Sequence, residues 1–204
     1  MKPDHKQKSI SAILFQTPLI LASASPRRAE ILRSIGFDFR IHPVNIDETA
    51  LDNEEPLDYV RRVAKAKAEA AAKIFPDLTV LGADTIVVID GEILGKPRDI
   101  DDARSMIQKL GGKTHDVITS IALVRPGRSD ILIAYELTRV RFALMSSEEI
   151  DWYLSTGESM DKAGGYGVQG YGKIFIEAIE GDYWNVVGLP VRLLIKCLAV
   201  RSTV

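Results

Sequence analysis

One cysteine, Cys197, and three scattered histidines are all that 204 residues offer to thiol or imidazole chemistry. A lone cysteine excludes an internal disulfide and any cysteine-built zinc cluster. Cys197 lies in the apolar run Val191-Arg192-Leu193-Leu194-Ile195-Lys196-Cys197-Leu198, which reads as a core thiol and not a nucleophile. His5, His42 and His115 lack metal-ligand spacing and build no Ser-His-Asp arrangement. His115, between Thr114 and Asp116 at a strand start, reads as structural. No apolar run reaches membrane-spanning length, and Ile13-Leu14-Phe15 is too short for a secretory core. Positive charge is not in excess either. Lys and Arg number 26 against 28 Asp and Glu, for a formal net charge of −2, which argues against a general nucleic-acid binder. The expectation is a cytoplasmic protein without membrane or nucleic-acid partners. Repeats and low-complexity tracts are absent, and the length suits a flexible leader over 1–17 ahead of one domain over 18–204.

The apolar pattern alternates between helix and strand periods. Leu19–Ala22 reads as a buried strand, Pro26 to about Ile35 as a helix stopped by Gly36, and Phe37–His42 as a strand. A second helix runs from Pro56 to about Ile74, with Val60, Ala64, Ala71 and Ile74 on its apolar stripe. Lys67 falls on that stripe, a place for a functional cation or for a side chain that merely snorkels. Leu78–Gly82 reads as a buried strand ending near Asp84, with Ile86–Ile89 continuing and Asp90-Gly91 turning back to Ile93-Leu94. Asp99 caps a helix to Leu110. Val117–Val124 and Ile131–Leu144 are long strands; Ser146 and Glu149 form a capping box for a short helix. A glycine-rich loop over 164–172 leads to a short strand at 174–176 and a final helix from about Pro190. Hairpins mixed with helix-linked strands predict an α/β fold with a mixed sheet flanked by helices.

Two motifs fail on context. Gly165-Tyr166-Gly167-Val168-Gln169-Gly170 fits G-x-G-x-x-G, but no strand precedes it and no helix opens after it. Gly91-Glu92-Ile93-Leu94-Gly95-Lys96-Pro97 is one residue short of a phosphate loop and has proline where the metal-binding hydroxyl belongs.

What survives is dispersed. Ser23-Ala24-Ser25-Pro26-Arg27-Arg28 joins a strand to a helix whose first position is proline. Unpaired N–H groups, the helix dipole and two guanidinium forks there suit a phosphate, although the same residues also make an ordinary capped helix start. Asp84 could hold a hard divalent cation or orient a water, or could be a turn aspartate. Asp47-Glu48 could add a second oxygen ligand. Lys96 and Lys67 are candidate cations for a polyphosphate, and Gln169 offers a free amide to a base or phosphate. Hydrolysis of a phosphoanhydride needs such a set: metal, fixed cations and a proton-accepting carboxylate.

The blocks Ser23–Arg28, Gly82-Ala83-Asp84-Thr85, Gly95-Lys96-Pro97, 161–170 and 181–190 occur in the order seen in the Maf family of nucleoside triphosphate pyrophosphatases, which the chain resembles over about 18–198. The resemblance implies cleavage of a nucleoside triphosphate between its α and β phosphates with Mg²⁺ or Mn²⁺. It makes Asp84 the proton acceptor, and Arg27, Thr85 and Gln169 the substrate-specificity positions. Ser23, Arg28, Glu48, Lys67 and Lys96 would line the phosphate and metal cleft, with Glu48 and Asp84 toward the metal. The loop over 161–170 is similar to that of the dTTP/UTP branch rather than the 7-methyl-GTP branch. A two-lobed mixed sheet with a cleft between, and a homodimer, are further implications, and a non-catalytic nucleotide sensor is the contrasting reading.

Overall fold

The computed structural model describes residues 18–199. The leader over 1–17, with His5 and Ile13-Leu14-Phe15, lies outside the described residues, as does 200–204. Seven strands form one mixed sheet: β1 (Leu19–Ala22), β2 (Phe39–Ile41), β3 (Val80–Ile89), β4 (Glu92–Leu94), β5 (Thr114–Val124), β6 (Leu132–Phe142) and β7 (Ile176–Glu180). Their spatial order is β2-β1-β3-β5-β6-β7, with β4 paired to β3. β1 runs parallel to β2 and β3; every other pairing is antiparallel. The helices are α1 (Pro26–Ser34), α2 (Pro56–Ala72), α3 (Ile100–Leu110), α4 (Ser147–Ser155), α5 (Tyr183–Val187) and α6 (Val191–Ala199).

Side chains alternate across β3, and the alternation sorts the core. Leu81 and Ala83 pack with α1 and α6, whereas Val87 and Ile89 pack with α3 and α4. These clusters share one face and part at Thr85, which gives the core its two halves. Val80 on the other face packs against Ala64, Ala68 and Ala71 of α2. Gly82 lets α2 sit that close, since a Cβ there would lie 2.6 Å from the Ala68 nitrogen.

Several boundaries differ from the sequence reading. β3 is continuous through Asp84, so the carboxylate lies mid-strand and not at a strand end. Helix α2 stops at Ala72, which leaves Ile74 56% exposed instead of on the buried stripe. β6 ends at Phe142, leaving Leu144 exposed, and the last strand comes later than expected, after a 3₁₀ turn over Tyr171–Phe175. The five-residue α5 has too little periodicity to read in sequence. The Asp90-Gly91 turn stands as predicted, both residues having left-handed φ (53° and 80°).

Candidate active site

The cleft exists because one strand stops early. β1 pairs with β3 only as far as Ala22 opposite Gly82, and β4 resumes on the same edge at Leu94 opposite Val87. Between those points the edge of β3 has no strand partner, and a cleft of about 690 Å³ opens there. Its walls hold all nine residues that the resemblance assigns to the site: Ser23, Arg27, Arg28, Glu48, Lys67, Asp84, Thr85, Lys96 and Gln169.

On the α2 face, Lys67 is the centre. Its Nζ donates to Asp84 Oδ1 at 2.9 Å and pairs with Glu48 Oε1 at 3.1 Å. Lys67 and Asp84 are buried, at 9% and 8% exposure, while the Glu48 side chain is half exposed. The small residues of α2 and Gly82 set the approach that makes the contact possible. Asp47 has a different job: exposed, it accepts the Thr49 N–H at 2.9 Å, and hydrogen bonding from the Thr49 side chain and then its backbone draws the carboxyl below the usual range. Among the described residues no group of three or more His, Cys, Asp or Glu side chains could cage a metal. Two carboxylates on one ammonium do fit a hard cation whose other ligands come from water and phosphate oxygens.

On the opposite face, Arg28 does not extend a free fork. Its Nε donates to the Gly188 carbonyl at 2.8 Å, Nη1 to Ser23 Oγ and the Ala83 carbonyl at 2.9 Å each, and Nη2 to Thr85 Oγ1 at 2.9 Å. The Ala83 bond takes the place that a longer β1 would fill. Burial pulls this guanidinium below its ordinary value, with Asp84 opposing. Arg28 thus also serves as a strut across the sheet gap, spending most of its donors within the protein. Arg27 is the more accessible one, but its Nη1 pairs with Asp161 at 3.0 Å across the cleft mouth. Ser25 occupies the α1 cap position without a side-chain cap bond; its N–H donates to Ser23 Oγ at 3.2 Å.

The far wall carries Lys96 and Gln169, both exposed. The Gly164 N–H donates to the Gly95 carbonyl at 3.0 Å and ties their two segments together. The sequence reading missed Tyr59, whose hydroxyl donates to the Glu48 carbonyl at 3.0 Å from within the cleft lining. Burial, with Asp84 and Glu48 nearby, pushes that phenol up to about 12. Tyr59 sits two turns before Lys67 on α2, and that helical spacing was the signal available. Asp161 and Lys162 were missed as cleft residues too; only their place beside the glycine loop pointed to them. His115 is structural as expected, its Nε2 2.7 Å from the Tyr166 hydroxyl.

Fold and site together define an α/β protein with a carboxylate–lysine cleft shaped for a polyanion. Residues 18–201 match the family described as Maf-like protein. The chain is 48% identical over 180 residues to a dTTP/UTP pyrophosphatase of Pyrococcus furiosus, covering 88% of this chain and 93% of the relative. It is 50% identical over 180 residues to the dTTP/UTP pyrophosphatase of Symbiobacterium thermophilum (88% and 92% covered), and 46% over 183 to that of Syntrophomonas wolfei (90% and 97%). The chain belongs to the Maf family.

Proposed function

We propose that this protein hydrolyses dTTP and UTP at the α–β phosphoanhydride, giving the monophosphate and pyrophosphate, with residues 18–204 as one catalytic domain. The observation that carries the reading is Lys67 held between Asp84 and Glu48 at the one break in the β3 edge. Water attacks phosphorus, the bridging oxygen leaves with pyrophosphate, and Asp84 takes the proton from the water. Lys67 fixes the orientation of that carboxylate. Asp84 and Glu48 would hold Mg²⁺ or Mn²⁺, which when bound supplies charge neutralisation on the phosphate oxygens and a more acidic water.

The start of α1 receives the phosphates: Pro26 brings no N–H, and Ser23, Ser25 and Arg27 surround the positive end of the helix. Lys96 adds charge from the facing wall. Thr85, Arg27 and Gln169 select the nucleotide, Gln169 by its amide. The relatives' named activity and the cleft chemistry support the same substrate class. Among the described residues no helix is long and apolar enough to cross a membrane.

Pyrophosphate release from dTTP, UTP, CTP and 7-methyl-GTP with Mg²⁺ or Mn²⁺ tests this directly. Turnover should favour dTTP and UTP; a preference for 7-methyl-GTP overturns the substrate reading, and no turnover with any triphosphate overturns the enzyme reading.

A further inference from the structure

The G-x-G-x-x-G pattern at 165–170 has no dinucleotide role; Gly165 has a left-handed φ of 73°, and the other glycines of the loop need another reason. Gly167, Gly170 and Gly172 are not among the glycines with positive φ. Gly170 has φ −95° with ψ −147°, at the margin of the extended region. A left-handed φ does not account for them. Space does. A Cβ at Gly170 would overlap the Glu158 carboxylate, and one at Gly167 would lie 2.7 Å from Lys162 Cε and 3.2 Å from Glu158 Oε1. One at Gly172 would lie 2.9 Å from the Gly167 carbonyl oxygen and 3.3 Å from the Tyr153 hydroxyl.

The carboxylate at the centre is fully engaged. Glu158 Oε2 accepts the Tyr171 N–H at 2.6 Å, and Oε1 accepts the Gly172 N–H at 3.2 Å and the Tyr153 hydroxyl at 3.4 Å. Its main chain is held as well: the carbonyl accepts from Lys162 Nζ at 2.7 Å, and the N–H donates to Thr156 Oγ1 at 3.3 Å. The glycine loop therefore wraps an anion after all, but an internal one. Consecutive backbone N–H groups aimed at one anion form a nest, here with the ligand built into the chain.

We infer that Glu158 is a positioning residue for nucleotide choice, acting through Gln169. Gln169 precedes Gly170 directly and lines the cleft, whereas Glu158 is not among the cleft-lining residues. The Glu158 carboxylate therefore reaches the nucleotide through the loop N–H groups that it holds at Tyr171 and Gly172. The inference rests on the proposed role of Gln169.

Glu158→Gln keeps the side-chain volume but turns an NH₂ group toward a backbone N–H. Amide exchange at Tyr171 and Gly172 should quicken at least about tenfold, the equivalent of one lost hydrogen bond of ~1.4 kcal/mol, with β3 and β5 amides unchanged. The ratio of kcat/KM for UTP over CTP should fall about tenfold on the same basis, through KM more than kcat. Unchanged exchange, or equal losses for both nucleotides, overturns the inference. Gly170→Ala, which displaces the carboxylate from the loop side, should reproduce both effects and add nothing in a Glu158→Ala background; additive losses overturn it. If the wild type turns over no nucleotide, the functional reading falls by itself. Equilibrium competition between UTP and CTP then supplies the ratio, and its invariance in Glu158→Gln sinks the present inference.

Discussion

Asp84 and Thr85 are neighbours on β3 that face opposite sides of the sheet, and their surroundings differ in kind. Around Thr85 the polar groups close on themselves. Thr85 Oγ1 receives Arg28 Nη2 and lies 2.9 Å from Thr119 Oγ1, which donates to the Asn185 carbonyl at 3.0 Å. Asn185 Oδ1 accepts the Thr119 N–H at 3.1 Å, while its Nδ2 donates to the Val117 carbonyl at 2.9 Å and to Thr138 Oγ1 at 3.0 Å. Thr119, Thr138 and Asn185 are fully buried. Around Asp84 two carboxylates share one ammonium, and one of them rides on the irregular segment between β2 and α2. A satisfied network specifies shape, so Thr85 would act on a nucleotide through the wall it fixes more than through a free donor. A charge-rich, partly open set does the reverse. The two faces differ, across a single peptide bond, in how much of their polar capacity is already spent within the protein.

The sharpest way to test that division is to change one side and watch the other. Asp84→Asn should lower turnover by about 10³-fold, within the range for loss of a general base, yet cost less stability than the about 3–5 kcal/mol of a stranded buried charge, because Lys67 keeps Glu48. Initial rates beside urea unfolding read both numbers. A collapse in stability equal to the loss of rate would erase the distinction between the faces.

Asn185→Ala is the reverse case. It strips three hydrogen bonds and strands the Thr119 N–H and the Val117 carbonyl, costing about 3 kcal/mol in urea unfolding. Activity per folded molecule should hold to within a few-fold. His115 adds a pH signature to the same face: it is 2% exposed, and burial lowers its pKa from 6.5 to about 4. The unfolded chain binds a proton between those values and the native chain does not, so stability is complete above pH 6.5. It falls as the pH drops toward 4, by up to roughly 3 kcal/mol. Urea midpoints at pH 7 and pH 4.5 in wild type and His115→Phe separate this from general acid effects; parallel slopes would remove His115 as the cause.

Why some of this was legible in sequence and some was not follows from how far each feature reaches along the chain. Lys67 on the α2 stripe, the Asp90-Gly91 turn and the Ser146–Glu149 capping box depend on neighbours within a few residues, and all three stand in the structure. The gap beside Asp84 depends on where a different strand stops, so the polar Asp84-Thr85 pair was read as a strand end. Arg28 looked free because its acceptors on Ala83 and Gly188 lie 55 and 160 residues away. The Asp161 partner of Arg27 is 134 residues distant, and nothing local announces it. Successive motif blocks placed these residues in one family, but only the fold says which donors are already spent.

The smallest effect concerns the tie that holds the open face in place. Glu48 has no regular secondary structure around it, and the Tyr59 hydroxyl bonds its carbonyl. Arg62, one helical turn on, donates to the Thr49 carbonyl at 3.0 Å, grips Glu54 at 2.6 and 2.7 Å, and stacks 5.5 Å over the Tyr59 ring. With Arg62 in place, Tyr59→Phe removes one bond of two tethers and no charge, so the segment loosens without leaving. One hydrogen bond of ~1 kcal/mol corresponds to about a fivefold rise in the Mn²⁺ concentration for half-saturation, read by spin-resonance titration without nucleotide. Arg62→Gln in the same background should weaken Mn²⁺ further, since both tethers then fail. Mn²⁺ binding identical to wild type in the double variant would mean that Glu48 is placed by its bond to Lys67 alone, and that the chemistry face needs no support beyond its own charges.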